Sequence, residues 1–194
     1  MNKTFYTDVI EIGDLRFAKY IESRAIEEKV REIADSIRED YHDKNPLFLV
    51  VMNGAFIFAA DLIRKLQFPC ELTFIRISSY HKTESTGQVQ MYFPPGIEFT
   101  GRHIVIIEDI IDTGNTMAAF LPELEKFKPA SIKIAAILVK QDAHLHPIET
   151  HYPGFIIPTK FVVGYGLDYE GMGRNLPDLY QLFQSSDSFQ EAEH

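Results

Sequence analysis

The chain has 194 residues, of which 19 are basic and 28 acidic, so its formal net charge is −9. This length suits one domain, and no apolar run is long enough for a transmembrane helix, so we expect no membrane partner. The single cysteine excludes an internal disulfide and fits a reducing cytoplasm, and an acidic chain without a Lys/Arg-rich stretch disfavours nucleic acid as a partner.

Apolar periodicity predicts helices and strands in alternation. The first helix begins at Ser23, which can cap it, and runs to about Tyr41. Its apolar face carries Ile26, Val30, Ile33 and Ile37. Strands are predicted at Leu47–Met52, Leu72–Ile77, Ile104–Ile107, Ile132–Val139 and Phe161–Val163, and further helices at Ala55–Leu66 and about Thr116–Phe127. Pro122 predicts a kink or a late start in the last helix.

The alternation indicates an α/β fold with a parallel sheet covered on both faces. The polar segment Ser78–Thr100 has no strong helical period, and long loops of this kind are often lids. Ligands of parallel sheets bind at the carboxyl ends of the strands. The polar groups expected there are Asn53–Gly54, Ser78–Tyr80, Glu108–Thr116, Lys140 and the stretch after Val163.

The most informative of these strand ends is the segment Ile104–Thr116. A buried strand delivers the adjacent carboxylates Glu108 and Asp109, and Asp112 follows before a small polar turn that opens a helix. Neighbouring carboxylates need cations or hydroxyl donors, and a turn at a helix start presents N–H groups to an anion. This chemistry describes a ribose-phosphate site. The alternative is a solvated acidic turn in which Thr or Asn caps the helix.

The same segment closely resembles the phosphoribosyl-diphosphate (PRPP) motif of type I phosphoribosyltransferases. Within that family, Ile137–Lys140, Lys160–Tyr169 and Arg174–Pro177 resemble the purine-binding end of hypoxanthine-guanine phosphoribosyltransferases, and Ser79–Tyr80 match their mobile loop. The resemblance implies one phosphoribosyltransferase domain over 1–194. Its sheet is central and mostly parallel, with a hood made from the N-terminal segment and about 150–183 and a mobile loop at about 78–100.

The resemblance also implies the reaction, a pentosyl transfer of purine salvage that depends on Mg²⁺. PRPP and hypoxanthine or guanine give IMP or GMP and pyrophosphate. Glu108 and Asp109 would meet the ribose hydroxyls directly or through metal-bound water, and Asp112 would act as the general base at purine N7. The 5′-phosphate would be held by Thr113, Gly114, Asn115 and Thr116.

The remaining roles come from the resemblance too, and some of them have an ordinary alternative. Lys140 would donate to the 6-oxo group, or it is a surface lysine. Phe161 would stack on the base while Val162 offers backbone groups to its edge, or both are ordinary core residues. Backbone carbonyls near Val162 and Leu167 would contact C2 of the purine. Asp168 would hold a second metal or its waters. Arg174 would bind pyrophosphate, or it forms a surface salt bridge. Ser79 and Tyr80 would close over the pyrophosphate.

Two positions depart from the family pattern. Asn53 stands before Gly54, where members of the family commonly carry Lys or Arg. We therefore expect pyrophosphate or PRPP affinity to depend more on Mg²⁺ and Arg174. The family has a non-proline cis peptide in this turn, and by resemblance we expect one at Met52–Asn53. His144 stands where relatives often have Arg, and its role is open.

Other interpretations compete with this one. A regulator with the same fold that binds nucleotides and contacts RNA or DNA would need a basic face, which the acidic balance disfavours. Preference for xanthine, or for hypoxanthine alone, stays open. His144, His146 and His151 could suggest zinc, although solvated loop histidines are the better interpretation. The family's members are dimers or tetramers, so a homodimer or homotetramer is expected.

Overall fold

The computed structural model describes residues 8–79, 89–93 and 95–183. The chain divides into two compact units, one formed by 1–26 together with 160–194 and the other by 27–159. Each unit contains its own sheet. In the described ranges, no helix is both long enough and apolar enough to cross a membrane.

The larger unit is built on a six-stranded sheet with the order β5-β4-β3-β6-β7-β8. Its strands are β3 (Leu47–Met52), β4 (Glu71–Ser79), β5 (Val89–Tyr92), β6 (His103–Ile111), β7 (Ser131–Val139) and β8 (Tyr152–Ile156). All neighbouring pairs are parallel except β4 with β5, which is antiparallel. The predicted α/β class with a mostly parallel sheet is therefore confirmed.

Among the described residues, three α-helices accompany this sheet, and the chain folds them where apolar periodicity predicts. They are α1 (Ser23–Tyr41), α2 (Phe56–Leu66) and α3 (Asn115–Glu125). Helix α2 packs on β3 and β6, while α3 packs on β4 and β5. Alternate residues of β3 join the buried side chains of α3 in one core cluster, since successive side chains of a strand point to opposite faces. The strand β3 is buried on both faces, as its continuous apolar run indicates.

Several predicted boundaries shift. Strand β6 continues to Ile111, so Glu108 and Asp109 lie inside the strand, and Glu108 still pairs with Ala136 of β7. Helix α3 begins at Asn115 with Pro122 inside it, so the late start suggested by the proline is wrong. Within the expected excursion 78–100, Ser79 pairs with Val89, and Phe99 is buried in the core cluster.

The fifth parallel strand is β8, and the prediction that Phe161–Val163 supplies it is wrong. The sequence of β8 is YPGFI, whose proline and glycine hide its strand character. Proline is tolerated there because β8 is at the edge of the sheet. Close packing against β7 leaves room only for glycine at position 154, because a Cβ there would lie 2.3 Å from the Ile137 carbonyl oxygen.

The smaller unit holds a four-stranded sheet with the order β1-β2-β10-β9, antiparallel throughout. Its strands are β1 (Val9–Ile12), β2 (Leu15–Ile21), β9 (Val162–Val163) and β10 (Leu179–Leu182). Ile12, Phe17, Val163 and Tyr180 form its buried core. Residues 162–163 therefore pair with β10 and not with the parallel sheet. The first backbone N–H of α1, at Ser23, donates to the buried carboxylate of Asp178 at 2.7 Å.

Candidate active site

The central strands of the larger sheet place several predicted site residues at one edge. Strands β3, β6 and β7 are parallel neighbours in that order, so their carboxyl ends lie side by side. Asn53–Gly54 follows β3, the acidic segment from Glu108 closes β6, and Lys140 follows β7. The Met52–Asn53 peptide bond is cis, which confirms the expectation.

Gly54 brings the turn after β3 directly against the acidic end of β6. A Cβ built on Gly54 would lie only 1.5 Å from Oδ2 of Asp109. The other carboxylate oxygen, Oδ1, accepts a hydrogen bond from the Ile110 N–H at 2.9 Å. Only a residue without a side chain leaves Asp109 room in this position, so the turn and the carboxylate form one unit of the site.

Glu108 is a buried carboxyl group with unused hydrogen-bonding capacity. Its side chain is only 7% exposed, and Oε2 has no hydrogen-bond partner among the described residues. Burial raises the pKa of Glu108 well above its usual value, and the neighbouring Asp109 carboxylate adds to the rise. Buried polar groups are normally paired. The site therefore offers an oxygen that a cation or a hydroxyl donor would satisfy.

Asp112 and Lys140 contact each other across the ends of β6 and β7. Lys140 Nζ donates to Asp112 Oδ2 at 2.7 Å. Lys140 is 7% exposed, so the alternative of an ordinary surface lysine does not hold. Its backbone N–H donates to the Ile111 carbonyl at 2.9 Å, which anchors it beside the acidic segment. At this edge of the sheet, the carboxylate can accept a proton from a ligand and the ammonium group can polarise a carbonyl group.

The turn after Asp112 leads directly into α3. Gly114 precedes the helix with φ +80°, a left-handed conformation that glycine adopts without strain. Gly114 at the N-cap position has no side chain that could accept a hydrogen bond, so neither Thr nor Asn occupies the cap position itself. Thr113, one residue earlier, accepts the Asn115 N–H with Oγ1 at 3.4 Å, so the Thr-cap alternative is met in part. The residues predicted to hold a 5′-phosphate, Thr113–Thr116, lie together at the start of α3. Backbone N–H groups at a helix start are suited to an anion.

The loop histidines have contacts that the sequence does not indicate. His146 Nε2 lies 2.9 Å from Asn115 Oδ1, and His151 Nδ1 accepts the Ile134 N–H at 3.4 Å. His144 Nε2 is buried without a partner among the described residues. Solvation alone therefore does not describe them. The His146–Asn115 contact spans 31 positions, and no local pattern predicts it.

Further predicted residues belong to the smaller unit. Phe161 is 43% exposed and contacts Tyr169 edge-on, with ring centroids 6.0 Å apart, so it is not an ordinary core residue. Val162 and Leu167 are buried. Ser79 ends β4 of the larger unit, and its side chain and Tyr80 lie outside the described part of the chain.

Asp168 and Arg174 form an ion pair within the smaller unit, with Arg174 Nη2 2.5 Å from Asp168 Oδ1. The Gly171 N–H donates to Asp168 Oδ2 at 2.7 Å, and Arg174 Nη1 donates to the Gly166 carbonyl at 2.7 Å. Both side chains are thus engaged in the geometry that the salt-bridge alternative describes. To bind pyrophosphate, Arg174 would have to give up its contact with Asp168. A metal at Asp168 would likewise have to replace Arg174 as the cation beside this carboxylate.

The carboxylates can be tested for fit to Mg²⁺. Across 8–79, 89–93 and 95–183, no group of three or more His, Cys, Asp or Glu side chains is arranged to hold a metal. Mg²⁺ commonly binds one or two carboxylates and completes its shell with water and substrate phosphates. The unpartnered oxygen of Glu108 beside Asp109 fits that mode, whereas a zinc site of three histidines does not form.

Comparison with known proteins agrees with this geometry. The family model of the phosphoribosyl transferase domain matches residues 18–170. The chain is 40% identical over 158 residues to a hypoxanthine-guanine phosphoribosyltransferase of Lactococcus lactis, covering 81% of this chain and 86% of the relative. It is 39% identical to a hypoxanthine-guanine-xanthine phosphoribosyltransferase of Tritrichomonas foetus, covering 82% of this chain and 88% of the relative.

A solved hypoxanthine phosphoribosyltransferase of Staphylococcus aureus superposes with a TM-score of 0.82 at 33% identity, over 97% of this chain and all of that one. The chain therefore belongs to the phosphoribosyltransferase family and is a glycosyltransferase. Within this family it groups with the hypoxanthine-guanine phosphoribosyltransferases, the purine-salvage enzymes to which the motif resemblance pointed.

Proposed function

We propose that the protein transfers the 5-phosphoribosyl group of PRPP to hypoxanthine or guanine in a Mg²⁺-dependent reaction, giving IMP or GMP and pyrophosphate. The observation that carries this proposal is the contact between Asp112 and buried Lys140, next to the turn that opens α3. A cation, a carboxylate and an anion-binding turn at one sheet edge match the chemical groups of a purine nucleotide.

The ribose-phosphate part of the substrate would bind the acidic strand end and the following turn. Glu108 and Asp109 are acceptors for ribose hydroxyls, and the unpartnered Glu108 oxygen favours this role. Thr113, Gly114, Asn115 and Thr116 would hold the 5′-phosphate with backbone N–H and hydroxyl groups. Helix-dipole assistance is worth only about 0.3–1 kcal/mol, so hydrogen bonds would dominate.

The purine would exchange the Asp112–Lys140 hydrogen bond for two bonds of its own. Lys140 would donate to the 6-oxo group, and Asp112 would accept the proton of purine N7 as the new bond to ribose C1′ forms. Adenine presents an amino group at position 6, so two donors would face each other. A buried unpaired donor costs about 1–3 kcal/mol, which gives roughly tenfold discrimination or more.

Other residues would bind the rest of the substrates. Phe161 would stack on the base, and the backbones of Val162 and Leu167 would meet its edge. Asn53, Gly54, Ser79, Tyr80 and Arg174 would bind pyrophosphate. Arg174 is already a paired donor, so it would trade Asp168 for a phosphate oxygen.

Glu108, Asp109 and Asp168 are the residues that would hold Mg²⁺, directly or through water. When bound, Mg²⁺ neutralises the charge of the diphosphate. The chain's own contribution is to orient the ribose, fix the phosphate and move the N7 proton to Asp112.

A competition assay tests this proposal. PRPP and Mg²⁺ are supplied with equal hypoxanthine, guanine, xanthine and adenine, and nucleotide products are read by mass. We expect IMP and GMP to dominate and AMP to reach no more than about a tenth of their amount. A protein that binds nucleotides without forming any product would be a regulator with this fold, and AMP in an amount comparable with IMP would remove the role of Lys140.

We further propose a homodimer or homotetramer in the cytoplasm. One solved relative, a hypoxanthine phosphoribosyltransferase of Trypanosoma cruzi, was studied for the role of its C-terminal region in oligomeric state and activity. Sedimentation velocity at enzyme-assay concentrations measures the mass, and a single monomeric species would contradict the proposed assembly.

A further inference from the structure

The segment Leu145–Ile148 lies against the turn that opens α3. The Leu145 N–H donates to the Thr113 carbonyl at 2.9 Å, and the Ile148 N–H closes a tight turn onto the His146 carbonyl at 2.9 Å. A Cβ on Gly114 would lie 2.9 Å from Ile148 Cγ1 and within 3.8 Å of the His146 backbone oxygen and Cβ. One side of the turn is therefore already occupied by this segment, which acts as a brace.

The His146 side chain adds one directed contact to the brace. Its Nε2 lies 2.9 Å from Asn115 Oδ1. An amide oxygen only accepts hydrogen bonds, so the imidazole carries the proton on Nε2 and donates it. The oxygen of Asn115 then faces His146, and the amide nitrogen is left to donate elsewhere.

We propose that His146 is a positioning residue for 5′-phosphate binding, acting through Asn115. It orients the Asn115 amide and steadies the first residue of α3, whose backbone N–H belongs to the anion-binding turn. This inference rests on the proposed function, since it needs a phosphate at that turn. It deepens that proposal by assigning a role to a histidine that takes no part in the reaction itself.

The contact is separable from the folding of the chain. His146 and Asn115 are both exposed, and the main chain of the brace is held independently by Leu145 and Ile148. Removing the imidazole therefore removes the bond to Asn115 and leaves the turn packed. The effect should fall on phosphate-bearing ligands and not on the base alone.

The test compares His146→Leu with His146→Gln, whose amide nitrogen reaches about as far as Nε2 and restores a donor. The matched control is His42→Leu, because His42 is exposed and its ring contacts the Arg38 carbonyl within α1. Measurements are the KM for PRPP, the KM for hypoxanthine, kcat, and the Kd of IMP by calorimetry.

We expect His146→Leu to raise the KM for PRPP and the Kd of IMP by about three- to tenfold, the range of one lost hydrogen bond. The KM for hypoxanthine should stay within about twofold, the Gln variant should recover most of the loss, and His42→Leu should match the parent. Equal losses for PRPP and hypoxanthine, no loss, or no recovery by Gln in a folded variant would each overturn the role.

A double-mutant cycle locates the effect. In an Asn115→Ala background, His146→Leu should change the Kd of IMP by less than about twofold, because its partner is gone. An undiminished effect there would show that His146 acts by another route. If the parent protein neither binds IMP nor forms it, the proposed function itself fails, which is a different result from a parent that binds IMP equally well with and without His146.

Discussion

Single residues at the carboxyl edge of the larger sheet carry specific steric and hydrogen-bonding demands. Gly54 has no room for a side chain because Asp109 Oδ2 occupies the position of a Cβ. Glu108 keeps a buried oxygen without a partner in the part of the chain that the structure describes, and Lys140 is paired with Asp112. These features exceed what burial of a stable core requires, which makes each residue a target for a sharp test.

Gly54→Ala should lower kcat/KM for PRPP by at least about tenfold. The added methyl group must displace either the turn or Asp109, and a misplaced group of this kind costs up to about 10²-fold. Steady-state kinetics with varied PRPP measure the loss. Gly101→Ala is the control, since an alanine there has a conformational cost, at φ +69°, but nothing lies within 4 Å of the added carbon. Unchanged kinetics in Gly54→Ala would contradict the close approach.

Asp112→Ala and Lys140→Ala should separate two steps of the reaction. Loss of the base at N7 should cut kcat by about 10²-fold or more with a smaller change in KM, because its role develops in the transition state. Loss of the lysine should mainly raise the KM for hypoxanthine and guanine and leave PRPP binding nearly intact. Calorimetry measures PRPP binding to each variant, and steady-state kinetics with each base measure kcat and KM. Unchanged turnover would remove Asp112 from its assignment.

At the scale of elements, a polar cluster joins the end of α1 to β7 and β8. The Asp40 carboxylate near the end of α1 accepts from Lys133 Nζ of β7 at 2.7 Å and from the Tyr152 hydroxyl of β8. The hydrogen bond from Lys133, followed by that from Tyr152, lowers the pKa of Asp40 below its usual 3.8. The edge strand β8 has few residues and contains a proline and a glycine, so this link supports an element with weak strand propensity.

Asp40→Asn should therefore lower the melting temperature at neutral pH. A carboxyl group whose pKa is depressed by folding stabilises the fold at every pH above its pKa in the unfolded chain. This contribution disappears as the pH falls through the pKa of the folded protein. Solvent reaches the Asp40 side chain, so the loss should be about 1 kcal/mol or less. Thermal unfolding from pH 7 to below 3.8 should show the two proteins converging on the acidic side. A constant difference across this range would contradict the assignment.

At the scale of the whole molecule, an acidic chain has to bind an acidic substrate. The net charge of −9 opposes PRPP, and Asn53 provides no positive charge in the turn after β3. Repulsion between a like-charged protein and ligand is weakened by salt and by bound cations. Mg²⁺ is thus expected to matter for PRPP binding in two ways, at the local carboxylates and by reducing the repulsion between the acidic chain and its substrate.

PRPP should accordingly raise the melting temperature strongly with Mg²⁺ and only slightly after chelation with EDTA. Asn53→Lys should restore part of the stabilisation without Mg²⁺, by adding the missing charge. Thermal shift at fixed ionic strength measures both, and Asn53→Gln is the control for size without charge. Equal stabilisation by PRPP with and without Mg²⁺ in the parent protein would contradict the role of the metal.

Local sequence was sufficient for much of the fold and for the chemical inventory of the site. The uninterrupted apolar run Leu47–Met52 matches β3 residue for residue, because a strand buried on both faces needs no alternation. The motif from Ile104 to Thr116 located the acidic strand end and the turn, since both are short and contiguous. The boundaries were less secure, because Glu108 and Asp109 are polar and yet continue the ladder of β6.

Contacts between distant residues came only from the folded chain. The strand Tyr152–Ile156 lacks a local signal and is recruited by pairing with β7, while 162–163 pair with β10. The bonds Lys140–Asp112 and His146–Asn115 join residues 28 and 31 positions apart. Periodicity reports which face of an element is apolar, but it carries no information about which distant side chain will lie opposite. Those pairings follow from strand order and loop packing, which set the geometry of the proposed site.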